Sequence, residues 1–122
     1  MPAPGQLLVS ALTADAAVHA LLGGRIRPNR LEAGAQLPAA VYQLINQQPA
    51  GFCLRGGTST DTARLQLTLY APTYAALDAL AGAVRGALRG SAFEFQSEGD
   101  QYDDQGQIGG RRQDYFISIS NP

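Results

Sequence analysis

The stretch RLQLTLYAPTYAALDALAGAVRGAL, residues 64–88, decides the fold, because its hydrophobic period changes around Pro72. Alternate residues of its first part are aliphatic: Leu65, Leu67 and Leu69. This alternation predicts a strand that is buried on one face. After the proline, apolar residues recur at helical spacing, and Gly90 suits the end of a helix. The segment therefore predicts a strand, a tight turn and a helix from about residue 73 to residue 89.

The first part of the chain predicts another helix and two strands. Apolar residues from 5 to 22 recur at spacings of three and four, which is typical of an amphipathic helix. Thr13 or Asp15 is suited to cap a second half if this helix is kinked there. The RIRP segment that follows is long enough for a short edge strand, and PAAVYQLI, residues 38–45, predicts the second strand.

The C-terminal part predicts two further strands, SAFEFQ and RRQDYFISIS, which both alternate apolar and polar residues. Residues 46–61 and 97–110 show no sustained period and are interpreted as loops. The order α-β-β-loop-β-α-β-loop-β predicts an α+β fold, with two helices packed on one face of a mainly antiparallel, four- to five-stranded sheet. We interpret residues 1–122 as a single domain.

Composition and charge argue against several function classes. The net charge is −1 and the pI is about 5.6, and the sequence has no run of arginine or lysine long enough to attract a nucleic acid. The single cysteine, Cys53, excludes an internal disulfide. Polar residues interrupt the N-terminal apolar stretch and no cationic segment precedes it, so we expect neither a signal peptide nor a membrane span. We expect a protein that is made and used in a cytoplasm.

No group of residues predicts catalysis, a cofactor or a metal centre. His19 is the only histidine and lies four residues after Asp15, a spacing typical of an ordinary helical pair. A nucleophilic pair of Cys53 and His19 would require the fold to bring them together. GGTST, residues 56–60, has the small residues of a phosphate loop but lacks the lysine and leads into a strand. A small enzyme or nucleotide-binding module remains an alternative that needs a polar site assembled by the fold.

The second loop gathers four carboxylates: Glu98, Asp100, Asp103 and Asp104. An ordinary solvated loop, an electrostatic partner surface and a calcium site are all compatible with this cluster, although the EF-hand spacing is absent. The helix over 73–89 carries a separate stripe of small residues: Ala75, Ala79, Gly82 and Gly86. Because interior glycine costs about 0.5–1 kcal/mol relative to alanine, we expect something to approach this stripe closely. The approaching surface is either the same subunit or a neighbouring one.

The sequence as a whole resembles a known family. An N-terminal ADAAVHALLGGRIRP, the strand LPAAVYQLI, the stretch 64–88 and the final RRQDYFISIS follow one another over residues 5–120. This arrangement is similar to the tail-terminator, or tail-completion and head-tail joining, proteins of long-tailed bacteriophages, and residues 64–88 are its most specific portion. The resemblance implies a small α+β subunit that forms a hexameric ring on the end of the tail tube, stops tube polymerisation and offers a docking face to the head.

The resemblance also implies partners and a location. The partners would be other copies of the chain, the tail tube protein and a head-completion or connector protein. Genomic DNA would pass only as cargo, and no reaction, cofactor, metal ion or membrane would be involved. The location would be the virion tail, and the host cytoplasm during assembly. Another neck or minor tail component of related fold is the alternative.

Two loops of this length exceed what a compact domain needs, so we interpret them as partner surfaces. In the first loop we expect contact with the tube or with an adjacent subunit through a glycine-rich segment: Arg55, Gly56, Gly57, Thr58 and Ser59. The segment has little apolar area to offset its ordering entropy. In the second loop, carboxylates would repel DNA phosphates, so we expect residues 98–104 to face the channel lumen or its axial rim.

Overall fold

A five-stranded mixed sheet with three helices forms the described part of the chain. The computed structural model describes residues 3–31, 34–49, 59–103 and 108–121. The elements follow in the order α1 (Pro4–Ala14), α2 (Ala16–Leu22), β1 (Ile26–Pro28), β2 (Ala39–Pro49), β3 (Ser59–Tyr70), α3 (Tyr74–Leu88), β4 (Glu94–Asp103) and β5 (Ile108–Asn121). The strand order is β1-β2-β3-β5-β4, and only β1 runs parallel to its neighbour. The predicted α+β class and mainly antiparallel sheet are confirmed.

The N-terminal helix is broken at Asp15, so three helices replace the two that were expected. Asp15 has extended backbone angles, and its carboxylate accepts hydrogen bonds from the N–H groups of Ala17 and Val18. This is an N-cap, which satisfies donors at the start of a new helix. The prediction of one continuous helix over 5–22 is therefore wrong, and the kinked alternative with Asp15 as the cap is confirmed.

The same break bears on membrane insertion. Within the described ranges no single helix is long and apolar enough to cross a membrane, whereas α1 and α2 meet that test only as a pair bent by 97°. The apolar side of this pair is buried in the core through Leu8, Leu12, Val18 and Leu22.

Both predicted loops are shorter than expected, because polar strand pairs extend far into them. β2 continues to Pro49, paired with Asp61 of β3, and β4 continues to Asp103, paired with Ile108 of β5. Hydrogen bonds between paired strands satisfy the backbone N–H and C=O groups whatever the side chains are. Polar residues without apolar–polar alternation can therefore still form strands. A register shift at Ile45 in β2 and another at Gln96 in β4 also disturb the alternation that a sequence pattern would show. The loop assignments are therefore wrong for 46–49 and 59–61 in the first segment and for 97–103 and 108–110 in the second.

The core lies between one face of the sheet and the helices. β3 contributes Leu65, Leu67 and Leu69 to it, as the sequence predicts, and each is fully buried. α3 faces them with five buried residues: Leu77, Leu80, Ala81, Val84 and Leu88. Each fully buried leucine stabilises the fold by roughly 1.5–3 kcal/mol. Thr73 caps the start of α3 and Gly90, with a φ of +79°, follows its end, so the predicted helix over 73–89 is confirmed nearly to the residue.

The two hairpins point away from opposite ends of the sheet. In the central pair, Ser59 lies opposite Asn121 and Tyr70 lies opposite Gly110. The β2–β3 connection therefore leaves the sheet at the Ser59 end, whereas the β4–β5 connection leaves it beyond Tyr70. The points at which the two connections leave the sheet are thus separated by the length of β3.

Candidate functional site

Three of the four predicted acidic residues lie on strand β4, and two of these, Glu98 and Asp100, are tied to α3 and β5. Asp100 accepts a hydrogen bond from Arg111 Nε at 2.9 Å and another from the Tyr74 hydroxyl at 2.9 Å. Arg111 also forms an ion pair with Asp78 at 2.6 Å, and its guanidinium lies 5.3 Å from the centre of the Tyr74 ring. Asp100 therefore lies on a paired strand and not in a loop, and its side chain, although 56% exposed, belongs to an ion-pair network on the helix side of the sheet.

The electrostatics of this network follow from its contacts. Burial opposes the charge on Arg111, but hydrogen bonds to Asp78 and Asp100 outweigh it and raise the pKa of this guanidinium. Hydrogen bonds from Tyr74 and from Arg111 lower the pKa of Asp100. The same bond to Asp100 raises the pKa of Tyr74. Because the pKa of Asp100 is depressed by folding, its stabilising effect is present above its unfolded pKa and is lost as pH falls through the folded one.

Glu98 forms a second network with buried partners. Its carboxylate accepts a hydrogen bond from Gln113 Nε2 at 2.6 Å and lies 3.8 Å from Arg85 Nη1. Gln113, which is 0% exposed, also donates to the carbonyl of Ala81 and accepts from the Tyr115 hydroxyl at 2.8 Å. Glu98 therefore helps to hold β4 and β5 against α3 and is not part of an ordinary solvated loop.

Sequence reasoning missed Arg111 and Gln113, although a signal for them was present. Both residues share the alternation of Tyr115, Ile117 and Ile119 and so belong to the helix-facing side of β5. A polar residue in phase with core residues indicates a buried polar contact, since a buried polar group has to be hydrogen-bonded.

The other predicted acidic residues are only partly described. Asp103 is the last residue of β4 and pairs with Ile108, whereas Asp104 lies outside the described residues. Across the described ranges, no group of three or more histidine, cysteine, aspartate and glutamate residues could hold a metal ion. The calcium alternative therefore has no support from the residues whose positions are known.

The small-residue stripe of α3 is open to solvent in the subunit. All four of its members, Ala75, Ala79, Gly82 and Gly86, are exposed. A Cβ built on Gly82 or Gly86 would meet no described atom within 4 Å outside the local helix. The helical period explains this, because Leu77, Leu80 and Val84 turn the opposite side of α3 towards the core. The alternative in which the stripe packs inside the same subunit is therefore wrong for the described part of the chain.

The glycine-rich segment of the first loop lies mostly outside the described residues. Arg55, Gly56, Gly57 and Thr58 belong to the undescribed range 50–58, as does Cys53. Ser59 is instead the first residue of β3, where its backbone pairs with Asn121. Ser59 is thus part of the sheet and marks the point where the described hairpin begins.

One side of the sheet ends in an incompletely covered strand edge. β1 pairs only with residues 40–42 of β2, and the chain then leaves the sheet at Asn29, whose φ is +68°. Residues 43–49 of β2 consequently have no neighbouring strand on that side among the described residues. Leu44 and Ile45 lie on this free edge and are 45% and 41% exposed.

Arginine side chains lie at the start of β1, on the side away from residues 43–49 of β2. Arg25 donates to the carbonyls of Pro38 and Leu21, and Arg27 donates to the carbonyl of Gly24. Together with Arg30, they form no ion pair with any described carboxylate. Arg25 and Arg27 line a cavity of about 240 Å³ with four neutral residues: Leu31, Ala35, Gln36 and Ala39. We call Arg25, Arg27 and Arg30 the arginine patch.

The sheet face opposite the helices is polar. At its centre the carboxylate of Asp114 is buried, accepts a hydrogen bond from Ser97 at 3.0 Å and lies within 4 Å of both Arg64 and Arg112. The two arginines are half exposed, so one buried carboxylate is shared by two cations that reach the surface. Such a face suits contact with water better than contact with an apolar partner.

Comparison with known proteins identifies the type of chain. The family model described as tail completion protein gp17 matches residues 6–119. Among solved structures, a chain of the virion of the native gene transfer agent (GTA) particle is similar with a TM-score of 0.70 and 15% sequence identity, over 93% of this chain and 92% of that chain. No curated protein matches the sequence.

Proposed function

This chain belongs to the tail completion protein family, and from this premise we propose that it caps the tail tube as a ring, ends tube polymerisation and provides the surface on which the head docks. As a member of the family, the protein is a structural component of a phage-type tail, and the sequence resemblance is confirmed at that level. The capping of the tube by a ring is our proposal.

The observation that carries the proposal is the position of the two hairpins. A terminator has to contact the tube with one end and the head with the other, so its subunit needs two surfaces that point in opposite directions. The β2–β3 connection and the β4–β5 connection leave the sheet at opposite ends, as the pairing of Ser59 with Asn121 and of Tyr70 with Gly110 requires. Each hairpin can then reach one axial partner without crossing the other.

We propose that the Arg55–Ser59 segment of the first hairpin contacts the tube protein or an adjacent subunit. The second hairpin, whose strand β4 ends at Asp103 and is followed in the sequence by Asp104, would face the channel lumen or its axial rim. Glu98 and Asp100 lie on the same strand but have internal cationic partners, so most of the repulsion of DNA would come from the tip. The head-side contact would be with a head-completion or connector protein.

The ring would be a hexamer whose subunits meet through two different surfaces, because a head-to-tail contact closes into a ring when the rotation fits. DNA would pass through the ring as cargo. The net charge of −1 is compatible with passage without tight binding. Assembly would take place in the host cytoplasm, and the role would be structural and not catalytic.

Electron microscopy of particles made without this protein tests the proposal. We expect tails of irregular excess length, or tails of normal length that fail to join heads. Supplying the wild-type protein in trans should restore both the length and the joining. Tails that reach normal length and join heads in the absence of the protein would refute the capping role.

A further inference from the structure

We infer that the cavity lined by Arg25 and Arg27 binds a carboxylate group of a partner protein. We call it the arginine cavity, and its other described lining residues are Leu31, Ala35, Gln36 and Ala39. The inference goes beyond the capping role, because it names a class of ligand that can be tested on the isolated subunit. Three features support it: guanidinium groups that are held in place, the lack of an anionic partner among the described residues, and a lining that is partly apolar.

Both guanidinium groups are held by backbone carbonyls. Arg25 donates from Nε to the carbonyl of Pro38 at 2.7 Å and from Nη2 to the carbonyl of Leu21 at 3.1 Å. Arg27 donates from Nη1 to the carbonyl of Gly24 at 3.0 Å. A guanidinium group has five N–H donors, so each arginine keeps further donors for a ligand. Because the side chains are already held, a ligand would not have to immobilise them, which favours binding.

The two cations of the cavity have no anionic partner among the described residues. Arg25 is half-buried, and a cation that is withdrawn from water is usually paired with an anion. Elsewhere in the described chain, four arginines lie within 4 Å of a carboxylate: Arg64, Arg85, Arg111 and Arg112. None of the lining residues of the arginine cavity is acidic. The positive charge of the cavity is therefore available to an anion from another molecule.

The rest of the lining favours a carboxylate on an aliphatic stem. Arginine binds carboxylates and phosphates through charge-assisted hydrogen bonds. Leu31, Ala35 and Ala39 add apolar surface to a cavity of about 240 Å³, and this surface can contact the methylene groups of a stem. A phosphate of duplex DNA stays on the surface of a wide rod and does not enter a cavity of this size. The carboxylate of a glutamate side chain or of a C-terminal residue fits both parts of the lining.

The arginine cavity lies towards one end of the sheet. Ala39, at the start of β2, pairs with Tyr70, and Tyr70 pairs with Gly110. The β4–β5 connection leaves the sheet beyond the same pair. A partner at this end of the subunit can therefore contact the connection and place a carboxylate in the cavity.

Three small probes test the ligand class by ¹H–¹⁵N NMR at low ionic strength. N-acetylglutamate α-amide carries a side-chain carboxylate, N-acetylleucine carries the carboxylate of a chain end, and N-acetylglutamine amide is the neutral control. We expect saturable shifts at residues 35–39 and at the Nε–H signals of Arg25 and Arg27, with a Kd of about 1–10 mM for the better carboxylate. The neutral control should cause no such shifts. The tighter of the two carboxylates indicates whether the natural ligand is a side chain or a chain end.

Variants then assign the binding to the cavity. Arg27→Gln removes one cation and should weaken binding roughly tenfold. Arg30→Gln is the matched control, because it removes a nearby exposed arginine that does not line the cavity, and it should change the affinity less than about twofold. Ala35→Leu keeps the charge but fills the cavity, so it should abolish saturable binding. Circular dichroism and urea unfolding establish that each variant folds.

Several results would overturn the inference. These are a lack of saturable shifts with both carboxylates, equal losses in Arg27→Gln and Arg30→Gln, and unchanged binding in Ala35→Leu. Tighter binding of a short DNA duplex at the same signals would show that the cavity region recognises phosphate instead. Glu32 is the nearest acidic residue in the sequence and lies outside the described residues. Binding seen only in Glu32→Gln would show that the chain fills the cavity with its own carboxylate, which would also overturn the inference. Tail length in particles decides the capping role independently of these results.

Discussion

At the scale of single residues, Tyr115 shows how a buried polar group fixes the position of a strand. Its ring packs edge-on against Phe93 and Phe95, with centroids 6.5 and 5.7 Å away. Its hydroxyl donates to Gln113, and burial raises the pKa of the phenol, which keeps the donor protonated. Tyr74 offers a matched comparison, because its hydroxyl donates to Asp100 at the surface, where the residue is 60% exposed.

We expect Tyr115→Phe to lower the free energy of unfolding by about 1–2 kcal/mol, because Gln113 would be left with a buried acceptor that water cannot reach. Tyr74→Phe should cost less than about 0.5 kcal/mol, since water can replace the lost donor. Urea unfolding of both variants measures the difference. Equal losses in the two variants would show that burial of Gln113 does not determine the cost.

At the scale of elements, α3 has two faces with different roles. One face holds the core through leucines and Val84, and the other presents the small-residue stripe to solvent. Neither Gly82 nor Gly86 has a positive φ, and a methyl group at either position would meet no described atom within 4 Å outside the local helix. Nothing within the described subunit therefore requires glycine at these positions.

Gly82→Ala and Gly86→Ala should each raise the free energy of unfolding of the subunit by about 0.5–1 kcal/mol, because alanine loses less backbone entropy in a helix. Thermal unfolding of the isolated subunit measures this gain. If a neighbouring subunit packs on the stripe, Gly82→Leu should also leave the subunit folded but weaken self-association. A destabilised Gly82→Ala variant would contradict the open position of the stripe.

The sequence predicts those elements whose side chains repeat with a clear period. β3 and α3 satisfy this condition, and the caps at Thr73 and Asp15 have the side chains that caps require. The outer parts of β2 and β4 do not, because β2 carries a run of glutamine and asparagine there and β4 mixes acidic residues with glycine. Their strand state comes from pairing with distant residues, and one-residue register shifts at Ile45 and Gln96 remove the remaining alternation.

The candidate surfaces were predictable only in composition. The acidic cluster could be recognised from the sequence, but the partners of Glu98 and Asp100 lie 11 to 26 residues away along the chain, on α3 and β5. The arginine patch was visible as RIRPNR, but the hydrogen bond from Arg25 to the carbonyl of Pro38, 13 residues away, was not. Long-range pairing decides both features.

At the scale of the whole molecule, the residues that stabilise the fold and the connections that we propose to mediate assembly occupy different parts of the sheet. The core lies between the helices and the central strands, and the strand residues Gln48, Pro49 and Thr60 near the first connection are exposed. A protein arranged in this way can change an end connection without losing its fold. The first connection, between Pro49 and Ser59, offers the cleaner case, because the strand pairs that flank it are defined on both sides.

Removing residues 55–58 should therefore leave the subunit folded and impair tail capping. The deletion shortens the connection from nine residues to five, a length that hairpins commonly have, and it retains Ser59 for its pairing with Asn121. We expect an unfolding midpoint close to that of the wild type, and overlong or headless tails when the variant replaces it in particles. A variant with Gly-Ser-Gly-Ser at 55–58 keeps the length and separates the loss of side chains from the loss of reach. A deletion that unfolds the subunit would refute this role, since the segment would then be needed for folding. A deletion that caps tails normally would also refute it, since capping would then not need the segment.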